Sequence, residues 1–222
     1  MAEILEQLAT CIERGKVNAS SPYPPDLKGQ DGADELTQQA LNNGVDPNAI
    51  LSEGLMKGMS VVGQKFSENK VFVPDLLMAA KAMSAAMAHL KPFFESGAAQ
   101  HKGTFVVGTV QGDLHDIGKN LVCMVMEGGG WNVVDLGVDV NTDKFMEAIE
   151  QNPKCVVGLS ALLTTTMVNM EKTVQAIKEK SPSTVVVVGG APLTSEFAKK
   201  IGADAYAADP QAGLNFINTT VS

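Results

Sequence analysis

Cysteine is scarce in this 222-residue chain: Cys11, Cys123 and Cys155 are odd in number, widely separated and without a CxxC pair. That usage argues against a redox or metal role for them and reads as reduced thiols of a cytoplasmic protein, packed as small hydrophobes. Basic residues are also few, with 17 Lys and Arg against 25 Asp and Glu and a formal net charge of -8. Neutralising phosphates needs clustered cations, so nucleic acid is not an expected partner. No apolar run reaches the roughly 20 residues that span a bilayer, so no membrane partner is expected. The N-terminal MAEILEQLATCIERGK reads as an amphipathic helix rather than a signal peptide. Internal repeats and low-complexity tracts are missing. Of three histidines, only His115 has an evident chemical setting; His89 and His101 have no carboxylate nearby in sequence and are expected to be structural or solvated.

The chain is 45% hydrophobic, enough for one large core or two smaller ones. Its character changes near residue 100. Residues 1–96 read as an all-α helical bundle of four or five helices. Ile4, Leu5, Leu8 and Ile12 form one apolar face. A loop at 18–32 carries prolines 22, 24 and 25, and Asp31 or Asp34 is placed to cap the helix that follows and stops at Asn43-Gly44. Asp46-Pro47 is a strong helix start. Leu51, Leu55, Met59, Val62 and Phe66 continue it, with a bend expected among Gly54, Gly58 and Gly63. Pro74 opens the last helix, where Leu76, Ala80, Met83, Met87 and Leu90 recur at the spacing of an antiparallel bundle seam. Residues 97–103 are the linker.

From 104 to 222, short apolar runs alternate with helical patterns. The runs are 104–110, 132–136, 155–159, 185–188 and a weaker 203–207. That alternation predicts an α/β domain: a flavodoxin-like doubly wound parallel sheet of five strands in the order 2-1-3-4-5. Ligands of such sheets bind at the carboxyl ends of the strands, near the switch point. Three polar or glycine-rich segments converge there. DLHDIG, residues 113–118, follows strand 1 and sets His115 between Asp113 and Asp116; a carboxylate on one imidazole nitrogen orients the ring and makes it a better metal ligand. Ser160, Thr164, Thr165 and Thr166 follow strand 3, and Gly189-Gly190 closes strand 4. Plainer explanations stand beside each: a surface histidine, a threonine cap for the next helix, a glycine turn. Asp113 could also be a receiver-type phosphate acceptor, which would call for further acidic residues and a strand-end lysine, whereas Lys119 falls on a helix. Trp131 is expected to serve packing.

Taken together, DLHDIG, GLSALLTTT and VVGGAP resemble the D-x-H-x-x-G, S-x-L and G-G fingerprint of the cobalamin-binding domain of corrinoid methyl-transfer proteins. Residues 56–87 are similar to the helical cap that precedes this domain in methionine synthase and in the corrinoid carriers of methylamine, methanol and O-demethylase systems. The resemblance spans roughly residues 34–210 and does not include the proline-rich loop. It implies a cobalamin or related corrinoid cofactor, with methylcobalamin as the loaded state. His115 would be the lower axial cobalt ligand in place of the cofactor's own base ("base-off, His-on"). Asp113 would hold the other imidazole nitrogen, with Thr166 standing where methionine synthase has serine. Ser160 and Thr164 would bond the displaced nucleotide tail, and Gly118, Gly189 and Gly190 would line its slot. Gly112, Asp116, Ile117 and Leu162 fall within the same motifs and are expected cofactor neighbours. In the cap, Phe72 is the main expected contact, with Met83, Leu76 and Leu77 after it.

On this resemblance the chain is a carrier subunit rather than a complete enzyme. It implies three partners: a substrate-specific methyltransferase, a second methyltransferase whose acceptor is tetrahydrofolate or a thiol, and a reductive activating protein. Methoxylated aromatics, methylamines, betaines and methanol all feed carriers of this type, and the GLSALLTTTM and VGGAPL stretches lean towards O-demethylation. Two other classes share parts of the pattern. A cobalamin-sensing regulator would add a basic DNA-binding segment, which the acidic N-terminus does not supply. The small subunit of an adenosylcobalamin mutase shares D-x-H-x-x-G but lacks the cap.

Overall fold

The computed structural model describes residues 2–221. The chain divides into two units, one running to His101 and taking in Gly128–Gly130, the other formed by Lys102–Glu127 and the residues from Trp131 onward. Among the described residues no helix is long and apolar enough to cross a membrane.

The first unit is helical. Helix α1 (Ala2–Glu13) buries Leu5, Leu8 and Ile12. Helix α2 (Ala33–Asn42) is capped neither by Asp31 nor by Asp34. Glu35 does this instead, its carboxylate accepting the Gly32 and Ala19 amides at 2.9 Å each. A carboxylate three residues into the helix satisfies orphan amides from inside the first turn, and so frees the two aspartates for other partners. Asp31 accepts from Gln39, and Asp34 meets His89.

Asp46 caps the next helix as expected, accepting the Asn48 amide. The helix runs as α3 (Pro47–Ala49), a π-helical stretch (Ile50–Met56) and α4 (Lys57–Ser67). Its glycines answer to a close crossing with α1: a Cβ on Gly54 would lie 2.9 Å from the Leu8 side chain, and one on Gly58 would lie 2.4 Å from the Ala9 carbonyl. The widened turn falls at this crossing, where a π-bulge is the usual way to absorb a misfit. Helix α5 (Val73–Glu95) buries Leu76, Ala80, Met83 and Leu90 of the anticipated seam, while Met87 stays partly exposed. The proline-rich loop is strapped down: Arg14 forms a double ion pair with Asp26, Lys16 Nζ donates to the Ser21 carbonyl, and Tyr23 donates to Asp75.

In the second unit the strands are β1 (Thr104–Thr109), β2 (Asn132–Asp135), β3 (Val156–Ser160), β4 (Val186–Gly189) and β5 (Ala205–Ala207). They form one wholly parallel sheet in the order β2-β1-β3-β4-β5. Helices α6 (Ile117–Gly128), α7 (Thr142–Gln151), α8 (Met167–Lys180), α9 (Ser195–Ile201) and α10 (Pro210–Thr220) make the crossovers and the C-terminal return. The apolar core joins Val106, Val157, Leu159, Val186 and Val188 of the sheet to Phe145, Ile149, Met170 and Ile177 of the helices. Trp131 is buried and donates its indole N–H to Asn218, so it serves packing.

Candidate functional site

One row of residues crosses the sheet at its carboxyl edge: Thr109 pairs with Ser160, Ser160 with Gly189 and Gly189 with Ala207. The chain leaves β1 at this row and re-enters regular structure only at Ile117, so residues 110–116 form a loop over the edge. The loop is held from several elements. Val110 donates its amide to the Ser160 carbonyl (3.0 Å), and Asn169 on α8 donates to the Gln111 carbonyl (2.8 Å). Gly112, at φ +85°, donates to Asp139 Oδ1 (2.7 Å), while the Asp139 amide returns to the Asp113 carbonyl (3.0 Å). Thr109, fully buried, donates its hydroxyl to the His115 carbonyl at 2.9 Å.

Asp113 is the hub. Its side chain is completely buried. Oδ1 lies 2.7 Å from His115 Nδ1 and accepts the His115 amide at 3.2 Å. Oδ2 accepts the amides of Leu162 (2.7 Å) and Leu163 (3.1 Å) and lies 2.8 Å from Thr166 Oγ1. Burial alone would raise the carboxyl pKa. The hydrogen bonds from Leu162, from the His115 ring and amide, and from Thr166 more than reverse this and hold it well below the usual carboxylate range. An ionised Asp113 assigns the imidazole proton to Nδ1, which leaves a lone pair on Nε2.

The His115 side chain is 48% exposed, and no hydrogen bond from the described residues engages Nε2. Beside it the surface is unusually apolar. Leu114 (72% exposed), Ile117, Leu162, Leu163 and Val168 are five of the nine exposed large hydrophobics among the described residues. Since two backbone amides of the 162–163 stretch bind the Asp113 carboxylate, these residues form a rim next to the ring. Exposed apolar side chains flanking an imidazole nitrogen that has no protein partner suit a large ligand with an apolar face.

The other expected residues divide. Ser160 sits in the edge row, half-buried, and Thr164 and Thr165 are exposed; none of the three hydroxyls is hydrogen-bonded among the described residues. Thr166 is buried, and its hydroxyl reaches both Asp113 and the Leu163 carbonyl (2.9 Å). Gly190 has a reason of its own: at φ +134°, a Cβ there would stand 1.8 Å from the Ala161 carbonyl oxygen. The approach of β4 to the end of β3 therefore demands this glycine whether or not a ligand passes. Gly189 is looser, with the Ala207 carbonyl 3.2 Å from a would-be Cβ, and Gly118 faces open space. The Asp116 carbonyl accepts the Asn120 amide at the start of α6.

Phe72 is 70% exposed. Met83 is 3% exposed and Leu76 fully buried, so these two expected contacts belong to the apolar core instead; their spacing along α5 turns them inward. His89 is structural, but it does have a carboxylate partner: its Nε2 meets Asp34 Oδ1 at 2.5 Å, because folding brings α2 beside α5. Lys119 pairs with Asp135 at 2.6 Å and is not a partner of Asp113, so the receiver-type arrangement is not formed. Sequence reasoning missed Thr109, Asp139, Asn169 and the Leu162 and Leu163 amides. Thr109 left a signal, a hydroxyl at the end of an apolar strand; backbone amides leave none.

A family model of the B12 binding domain matches residues 103–214, and a second B12 binding domain model matches residues 30–91. The trimethylamine corrinoid protein of Methanosarcina barkeri is 41% identical over 178 residues, covering 78% of this chain and 82% of that one. This chain belongs to the corrinoid proteins. The dimethylamine corrinoid protein of Methanosarcina barkeri is 42% identical over 208 residues, 92% of this corrinoid protein and 91% of its relative. Among solved structures, the methanol:cobalamin methyltransferase complex MtaBC from Methanosarcina barkeri superposes with a TM-score of 0.81 at 28% identity, covering 99% of this chain and 80% of that one. The cofactor of the present corrinoid protein is accordingly cobalamin or a related corrinoid. The site suits that group. Among the described residues there is no cluster of three or more His, Cys, Asp or Glu able to hold a metal ion. A single oriented imidazole in an apolar rim is the donor a macrocycle-bound metal can use.

Proposed function

We propose that this corrinoid protein is a methyl carrier that moves a methyl group from a substrate-specific methyltransferase to a second methyltransferase, with His115 as the lower axial ligand. The observation that carries this reading is the His115–Asp113 pair. The ring is fixed at Nδ1 by a buried carboxylate, and Nε2 is presented without a protein partner. A bound corrinoid supplies a metal centre that accepts and surrenders a methyl group. The protein's own residues do the rest. Asp113, kept ionised by two amides and a hydroxyl, holds the Nδ1 proton and so keeps Nε2 basic and aimed. Leu114, Ile117, Leu162 and Leu163 are exposed apolar side chains that would pack against a bound corrinoid and, with it in place, exclude water from the imidazole. Ser160 and Thr164 offer unengaged hydroxyls to the nucleotide tail, and the half-buried Gly189–Gly190 turn puts no side chain in its way.

For the methyl donor we favour methylated amines, since the relatives at 41% and 42% identity are a trimethylamine and a dimethylamine corrinoid protein. The acceptor is tetrahydrofolate or a thiol, reached through the second methyltransferase, and a reductive activating protein restores the carrier after oxidation. The test is reconstitution of the protein and of its His115→Ala variant with hydroxocobalamin. Wild type should bind tightly with a histidine-ligated absorption spectrum, and the variant should lose at least tenfold in affinity and change spectrum. Identical spectra and affinities would refute the ligand assignment. Methyl transfer from trimethylamine, dimethylamine and a methoxylated aromatic, each with its own methyltransferase, identifies the donor class; transfer from the aromatic alone would overturn the amine assignment.

A further inference from the structure

We infer that Thr109 is a positioning residue for the axial imidazole, acting through the His115 main chain. The inference rests on the ligand assignment proposed above for His115. Three contacts fix His115, and two of them pass through the Asp113 carboxylate: ring Nδ1 at 2.7 Å and the amide at 3.2 Å. Both therefore depend on a single side chain. The third contact is independent of Asp113. The Thr109 hydroxyl donates to the His115 carbonyl at 2.9 Å, from the last residue of β1, an interior strand of the sheet.

Thr109 is well suited to this task. It is fully buried, so its hydroxyl has no water to compete for the bond. Its own backbone is clamped on both sides, the amide donating to the Gly137 carbonyl (3.0 Å) and the carbonyl accepting from the Val140 amide (2.9 Å). It lies in register with Ser160 on β3. The sheet thus reaches the ligand histidine through one hydroxyl, and a ligand held within a fraction of an ångström needs such support around it. Valine fills the same volume without the donor. Serine keeps the donor.

The experiment uses the full chain loaded anaerobically with cob(II)inamide, which has no lower base, so any axial nitrogen seen by EPR is the protein's. Wild type should show axial nitrogen splitting, and His115→Ala should not. Thr109→Val should lower the ratio of nitrogen-ligated to unligated cobalt by about fivefold, the worth of one net hydrogen bond. Thr109→Ser should restore it, and the thermal midpoint of the apoprotein establishes that each variant folds. If the valine variant does not fold, Thr109→Ser against Thr109→Ala, which differ in the hydroxyl alone, decides the question. Wild-type splitting and ratio in the variant lacking the hydroxyl would overturn the role of Thr109. Absence of protein nitrogen in wild type, or its persistence in His115→Ala, would overturn the His115 assignment itself.

Discussion

At the scale of single residues, Asp113 holds the site together. Its two oxygens gather the His115 ring and amide, the Leu162 and Leu163 amides and the Thr166 hydroxyl. Asp113→Ala strands several part-buried donors and should destabilise the apoprotein by roughly 2–4 kcal/mol in urea unfolding. Thr166→Val should cost about 1 kcal/mol or less, because the two amides still satisfy Oδ2. Equal losses for the two variants would show that the threonine, and not the amides, holds the carboxylate. Acid has a defined effect too. Folding lowers the Asp113 pKa, so its stabilisation is complete above the unfolded value of about 4 and is lost as pH falls below it. Urea midpoints should therefore drop between pH 5 and 3 in wild type and drop less in Asp113→Ala.

At the scale of elements, the glycines separate packing from ligand access. Gly190 is required by the Ala161 carbonyl, and Gly190→Ala should destabilise the apoprotein by roughly 2–4 kcal/mol through overlap and strain at positive φ. Gly118 lies near the start of α6 with open space around it. Alanine there should leave the apoprotein as stable or slightly more so, since it is the better helix former. Its corrinoid affinity should fall if the tail slot passes this face. Unfolding curves and hydroxocobalamin titrations of both variants check the pair. The helical unit makes a related point: where a bend was expected among the glycines, a π-helical stretch runs up to Met56 and α1 packs closely on Gly54 and Gly58. A pattern of apolar residues marks which face is inward, but the crossing partner determines how the helix yields.

At the scale of the whole molecule, the three cysteines are natural reporters. Cys11 belongs to the helical unit, Cys123 and Cys155 to the α/β unit, and all three are buried. Burial raises the Cys11 thiol to about 11 and the Cys123 thiol to about 12, and raises Cys155 as well. Native protein should therefore resist iodoacetamide at pH 8 and take up three equivalents when unfolded. The raised values also mean that the unfolded thiols ionise first, so stability should decline as pH climbs through about 9. Rapid labelling of native Cys123 would show that the α/β unit opens on its own.

Strand order, the helix-rich first half and the three converging segments were legible in the sequence, because periodicity and the parallel crossover rule act locally and leave few topologies. The DLHDIG histidine was legible for the same reason, since Asp113 and His115 are two residues apart. Partnerships across distance were not. Asp34 meeting His89, Glu35 capping Gly32, Met83 turned into the core and Thr109 reaching the His115 carbonyl all depend on how elements lie against one another. Composition and spacing determine which faces must be buried and which side chains can do chemistry. Only the packed chain decides which donor meets which acceptor, because those distances are set by the whole fold.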